Sequence, residues 1–333
     1  MSRGLLALLV LIGIGGGTVL ALTSADNESA AVGGPPAKGA EAGSWTTLTP
    51  GKYKRTEVGA ARIGRHIYVV GGFEERGSST SAVVERYDIR RNRWGRVSSM
   101  PAALNHPAAV AYQGRLYVTG GYRGRGDLSA PSRGLFRYDP ATNRWSRLPS
   151  APTPRAAHAA GVIGGRLHVA GGANESGALR SLEIYDIVRR RWSKGPDMST
   201  MAREHVAGTV AGGQFYVLAG RASGQGNFRV AERFDPARGR WERLPDMAKA
   251  RGGIAAATVD GQVVVLGGEE GAGTIGEVEL FNPAKRRWSR LPDLATPRHG
   301  LGAASFERRV YAIEGGPEPG FHFSDKLEAL DLP

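Results

Sequence analysis

Five arginines recur at near-equal intervals along this 333-residue chain: Arg55, Arg155, Arg203, Arg251 and Arg298, with Leu104 in the one place left over. Just after them stand Glu57, Asn105, His106, His158, His205 and His299. A guanidinium presents a planar fork suited to carboxylate or phosphate. Five of them around one opening would make an anion-binding crown, with Asn105 and His106 beside it as further ligand contacts. Should the chain be an enzyme, Glu57, His106 and His205 are its acid/base candidates. The histidines differ in register by one residue, so they are not expected to point the same way. Metal chemistry finds little support. The chain has no cysteine, which removes disulfides, thiolate sites and cysteine nucleophiles together. No histidine pair has zinc-ligand spacing along the sequence. Neither a metal nor a cofactor is expected.

The elements that must position these residues announce themselves by repetition. Seventeen residues after each of the six places comes a glycine that closes an apolar run. The runs are "HIYVVGG", "RLYVTGG", "RLHVAGG", "QFYVLAG", "QVVVLGG" and "RVYAIEG". All six tryptophans, Trp45, Trp94, Trp145, Trp192, Trp241 and Trp288, share the same period. Two unrelated markers with one period mean an internal repeat of about fifty residues. Each unit reads as four short strands, a to d; in the first, these are 56–63, 66–72, 83–88 and 94–97. Tight turns such as "IGRH" and "YQGR" join a to b. A strand ending in two glycines could also open a phosphate loop. Such a loop would lead into a helix and occur once, whereas this phrase occurs six times between strands. The glycines therefore read as close backbone packing.

The spacing of Gly-Gly, then Tyr-Asp, then Trp resembles the kelch family of β-propellers over residues 45–333. The resemblance implies an all-β fold, a six-bladed kelch β-propeller with four antiparallel strands per blade. Trp45 begins a strand d with no strands before it, and "KLEALDLP" (326–333) supplies a strand c with none after it. The N-terminal strand is thus expected to close the last blade. In this family strand a is innermost, which would put the arginines around one mouth of the central channel. There they often bond a neighbouring blade's carboxylate or backbone, and relatives bind acidic protein segments through such arginines. The resemblance extends distantly to galactose oxidase and to exported sialic-acid mutarotases. A galactose-oxidase-like copper cofactor needs a tyrosine cross-linked to a cysteine, which is missing. The iron site of kelch specifier proteins also fails, because Glu242 and Asp246 are followed by Ala250.

Charge bears on partners. The formal net charge is +13, which raises acidic ligands, anionic membranes and nucleic acid as candidates. Glu85, Glu183, Glu232 and Glu279 on strand c face Arg96, Lys194, Arg243 and Arg290 on strand d, if the aromatic of strand c faces tryptophan. Four cross-strand ion pairs are therefore expected. The c-to-d turns "DIRRNRW", "DIVRRRW", "DPARGRW" and "NPAKRRW" form a basic rim that could meet an anionic membrane surface. Nucleic acid is not expected, since no base-stacking groove is evident. Arg3, the uncharged stretch 4–22 and the acids beyond it read as a signal peptide or N-terminal anchor over 1–25. Residues 26–44 read as an Ala/Gly/Pro-rich linker. The chain is thus expected to be exported: secreted, periplasmic or anchored facing outward. Together these point to an exported binding module for an acidic protein segment or anionic glycan at the arginine-lined mouth. A sialic-acid-type mutarotase or epimerase is the alternative.

Overall fold

The computed structural model describes residues 43–76 and 79–333. The expected export segment, and all but the last two residues of the linker, lie outside the described residues. Blade one consists of Gly59–Ile63, His66–Val70, Val84–Asp88 and Arg93–Arg96, hydrogen-bonded in that order as an antiparallel meander. Blades two to five repeat the pattern, with innermost strands Ala108–Tyr112, Ala159–Ile163, Ala207–Ala211 and Ala255–Val259. Blade six takes Gly302–Phe306, Arg309–Ile313 and Leu327–Asp331 from the C-terminal end. Its fourth strand is Trp45–Thr47, paired as Trp45↔Leu330 and Thr47↔Glu328. The closing strand is the one expected from the sequence.

Burial explains the composition of each strand. Strand b is covered on both sides by neighbouring blades, so after its first residue "HIYVV" or "QVVVL" is continuously apolar and buried rather than alternating. Strand a packs against its neighbours around the axis, and its first residues, where the blades approach closest, are small. A Cβ on Gly208 would lie 2.7 Å from that of Ala159, and one on Gly302 would lie 2.6 Å from that of Ala60. The glycine pair ends strand b for the same reason. Gly71 and Gly72 have φ of 65° and 88°, and a Cβ on Gly71 would meet the Leu104 carbonyl at 2.2 Å. It is a close approach between blades, and no helix follows it.

The tryptophans close the ring. Each indole Nε1 donates to a backbone carbonyl of the preceding blade: Trp94 to Thr49, Trp145 to Ser98, Trp192 to Pro149, Trp241 to Pro196 and Trp288 to Pro245. Trp45 donates to Pro292 at 2.9 Å, completing the circuit. The strand c aromatics sit opposite tryptophan as the seven-residue separation requires, for example Tyr87↔Trp94 with ring centroids 5.1 Å apart.

Candidate functional site

The arginine ring comes first, and the structure corrects its reading. All five guanidiniums lie inside the protein, each at most 1% exposed. Arg203 Nη1 donates to Glu232 at 2.7 Å, Arg298 Nη2 to Glu328 at 3.0 Å, and Arg155 Nη2 lies 3.3 Å from Glu183. Arg251 pairs with Glu279, and Arg55 Nη2 serves both Glu85 at 3.2 Å and Glu314 at 2.9 Å. The same guanidiniums also hold the blade's own backbone: Arg55 Nη1 donates to the carbonyls of Gly71 and Val83. Each arginine therefore ties the start of strand a to strand c of its own blade. An open crown would need these forks free, and they are occupied.

The cross-strand ion pairs are corrected with them. The register is as expected, Glu85↔Arg96, Glu183↔Lys194, Glu232↔Arg243 and Glu279↔Arg290. The glutamates nevertheless turn inward to the ring arginines. Arg243 and Arg290 bond Asp246 and Asp293 instead, out in solvent. A buried guanidinium without a carboxylate would bear an uncompensated charge, which decides the competition. Blade two supports this pairing. It has Leu104 for the arginine and Phe136 for the glutamate, both buried in one apolar cluster.

Two residues beyond each ring position the chain passes the channel axis in a left-handed conformation. The residues are Glu57, His106, Ala157, His205, Gly253 and Gly300, with φ between 52° and 66°. Backbone bonds link them blade to blade: His106 N to Glu57 O, Ala157 N to His106 O, Gly253 N to His205 O and Gly300 N to Gly253 O, all between 2.8 and 3.1 Å. Glycine is the inexpensive choice for such a φ, yet four blades carry other residues, and in three of them the residue is a large polar one: Glu, His and His. Those three side chains meet. His106 Nε2 lies 3.0 Å from Glu57 Oε2 and 3.0 Å from His205 Nε2. The structure thus gathers the three acid/base candidates from blades one, two and four into one well, also lined by His158.

Partners around the well fix its members. His106 Nδ1 is 2.7 Å from Asn105 Oδ1, and Asn105 Nδ2 donates to Thr80 Oγ1 at 2.8 Å. His205 Nδ1 bonds Glu204, while Arg221 Nη2 donates to His205 Nε2 at 3.0 Å and bridges Glu204 and Glu269. His299 Nδ1 reaches the second oxygen of Glu57 at 3.2 Å. Burial pushes His106 down to about 3 against the pull of Glu57, and pushes His158 to about 3 with help from Arg155. Burial works against the Glu57 carboxylate, but His106 and His299 hold it well below the usual range. At neutral pH His106 and His158 are therefore neutral imidazoles near a carboxylate, while His299, against its burial, is raised by Glu57. Sequence reasoning noted these residues but not Arg221, Glu204 and Glu269, which come from another register. It also missed the shared metal-ligand geometry, since spacing rules for one element cannot find ligands drawn from three blades.

Charge at the other end of the propeller is arranged differently. The a-to-b and c-to-d turns share that end in blades one to five, as the meander requires. Asp88, Asp186 and Asp235 are bound to their own turns, each accepting a backbone N–H three residues on. Blade five replaces the acid with Asn282, which accepts from Lys285 N. Arg90, Arg93, Arg191, Arg240 and Arg287 stand exposed, with no carboxylate within ion-pair distance among the described residues. On the loop face, by contrast, exposed Glu75, Arg76, Arg125, Asp127 and Glu175 mix the two signs.

Comparison with known proteins agrees with this architecture. The KLHDC2/KLHL20/DRC7 Kelch-repeats domain model matches residues 40–202, and the Kelch motif model matches 202–248 and 250–295. Kelch-like protein terF of Aspergillus terreus is 32% identical over 130 residues, 36% of this chain and 28% of the relative. Kelch-like protein 34 of Homo sapiens is 34% identical over 125 residues, 37% of this chain and 19% of the relative. Alpha-scruin of Limulus polyphemus is 31% identical over 145 residues, 41% of this chain and 15% of the relative. The matched stretch spans less than a third of the length of each of these curated relatives. Among solved structures, "Structure of YjhT" superposes with a TM-score of 0.72 at 16% identity, covering 84% of this chain and 95% of that one, a likeness of fold. With its period, its six four-stranded sheets and these matches, the chain belongs to the kelch-repeat family.

Proposed function

We propose that the protein is an interaction module that docks an acidic protein segment on its turn face. The observation that carries the proposal is the exposed set Arg90, Arg93, Arg191, Arg240 and Arg287 at one end of the ring, with no ion-pairing carboxylate among the described residues. A like-charged face steers an anion and loses strength as salt rises. The interaction role of kelch relatives is consistent with this reading. The arginine ring, already paired internally, takes no part in it. A sugar-acid mutarotase would keep Glu57, His106 and His205 as acid/base groups, but it would lose its five carboxylate-binding arginines to buried ion pairs. Unchanged anomer exchange of sialic acid by NMR is therefore expected.

The test is titration of labelled poly-L-glutamate into the protein and into charge-reversed variants. Arg90→Glu with Arg191→Glu and Arg240→Glu should weaken binding severely. Arg76→Glu with Arg125→Glu, on the loop face, should leave it nearly unchanged. Equal weakening by both sets would overturn the docking face. Binding to heparin or to anionic vesicles, with none to poly-L-glutamate, would overturn the class of partner.

A further inference from the structure

We propose that Glu57, His106 and His205 form a binding site for a divalent first-row metal ion at the channel axis. Two independent observations carry it. The first is where hydrogen atoms must sit. Thr80 Oγ1 spends its proton on the carbonyl of Gly124, so it accepts from Asn105 Nδ2. Asn105 Oδ1 then faces His106 Nδ1, which must carry the hydrogen, so Nε2 is the ring nitrogen turned to the well. Glu204 likewise fixes the hydrogen of His205 on Nδ1. His106 Nε2 therefore lies 3.0 Å from both Glu57 Oε2 and His205 Nε2, the ligand atoms of all three residues lie within 4.8 Å of one another, and Arg221 Nη2 donates to His205. Such an arrangement of electron pairs calls for a cation between them.

The spacing suits the ion. Metal–ligand bonds of about 2.0–2.1 Å put neighbouring ligand atoms roughly 2.9 Å apart in an octahedral site and about 3.4 Å apart in a tetrahedral one. Imidazole nitrogens held by an outer hydrogen bond to an amide or carboxylate are the usual arrangement around a bound metal. Two imidazoles and one carboxylate favour zinc, iron or cobalt over calcium or magnesium, and leave coordination positions open along the channel. Glu204, Glu269 and Glu57 outweigh Arg221 in charge, and Arg221 keeps both carboxylates if it swings off His205.

The second observation is backbone strain. Of six equivalent left-handed positions, blades three, five and six use Ala157, Gly253 and Gly300. The three blades with large polar residues, in a conformation only glycine adopts freely, are the three whose side chains meet. Gly300 is needed for this, since a Cβ there would lie 2.6 Å from the Glu57 carboxyl carbon. Strain at three positions whose side chains share no point would have no such pattern.

Zinc is the probe. Metal-stripped wild-type protein should take up one Zn²⁺ per chain by calorimetry, and Co²⁺ should give visible absorption bands. A crystal soaked in zinc chloride should show one anomalous peak touching Glu57, His106 and His205. His106→Gln and His205→Gln should abolish stoichiometric uptake. Asn105→Ala, which leaves all three ligands in place, should weaken it about 10–100-fold. Should the ligand variants fail to fold, the wild-type crystal decides alone. Absence of the anomalous peak, or a peak at the exposed Glu318–His322 pair instead, would overturn the proposal.

Discussion

The two ends of this propeller use the same residue for opposite purposes. Toward the loop face, Arg55, Arg155, Arg203, Arg251 and Arg298 are buried and each meets a glutamate. Toward the turn face, Arg90, Arg191, Arg240 and Arg287 stand in water with no carboxylate within ion-pair distance among the described residues. The residue type does not decide the role; the supply of acids within reach does. Strand c delivers a glutamate to the first set, whereas the aspartates of the turns are bound to backbone N–H groups beside the second.

The largest effects expected from this contrast come from the buried set. Arg203→Ala would leave Glu232 charged and buried, at a cost of about 3–5 kcal/mol. Arg191→Ala on the rim should change stability by less than about 0.5 kcal/mol. Chemical denaturation of the two variants separates them, and equal costs would erase the distinction. This reverses what an open crown would predict, since removing a free guanidinium should leave the protein folded and merely stop binding.

Blade two sharpens the comparison. There Leu104 and Phe136 fill the space of the ion pair, so an apolar solution fits this fold. Leu104→Arg alone should destabilise by several kcal/mol, because it buries an unpaired cation. Adding Phe136→Glu should recover much of the loss, a coupling readable in a double-mutant cycle. The reciprocal change, Arg203→Leu with Glu232→Phe, should cost far less than Arg203→Ala. Additive losses in either cycle would refute the strut.

A smaller effect concerns pH. Glu314 stands in blade six where the other runs have glycine or alanine, and it shares Arg55 with Glu85. Burial raises its pKa to about 7 from an ordinary 4.5, although Arg55 opposes the shift. The folded state thus holds a proton that the unfolded state has lost between these values, so stability should fall as pH rises from about 4.5 to 7. Glu314→Gln should flatten that decline, as followed by melting temperature across the range. A variant with an unchanged slope would place the titration elsewhere.

Much of this molecule was legible in its sequence. The tryptophan and glycine periods fixed six units, and Trp45 with the unfinished final repeat implied closure. The aromatic–Trp spacing gave the c-to-d register. The partner of each glutamate was not legible from that register, because Glu232 has Arg243 opposite it and Arg203 reaches it from 29 positions away. One sign was present: the blade without its arginine, at Leu104, is also the blade without its glutamate, at Phe136. The well at the axis was half legible. Its residues have chemistry that attracts notice, but their left-handed backbone and their meeting across three blades exist only in the folded ring.

The claim that the two arginine sets differ in role can be tested in one measurement. Arginine-selective modification with phenylglyoxal, mapped by mass spectrometry, reads every guanidinium in the native protein at once. Arg90, Arg191, Arg240 and Arg287 should react quickly and become protected by poly-L-glutamate. Arg55, Arg155, Arg203, Arg251 and Arg298 should stay unmodified with or without it. Rapid modification of the buried five, with protection by the polyanion, would contradict the account.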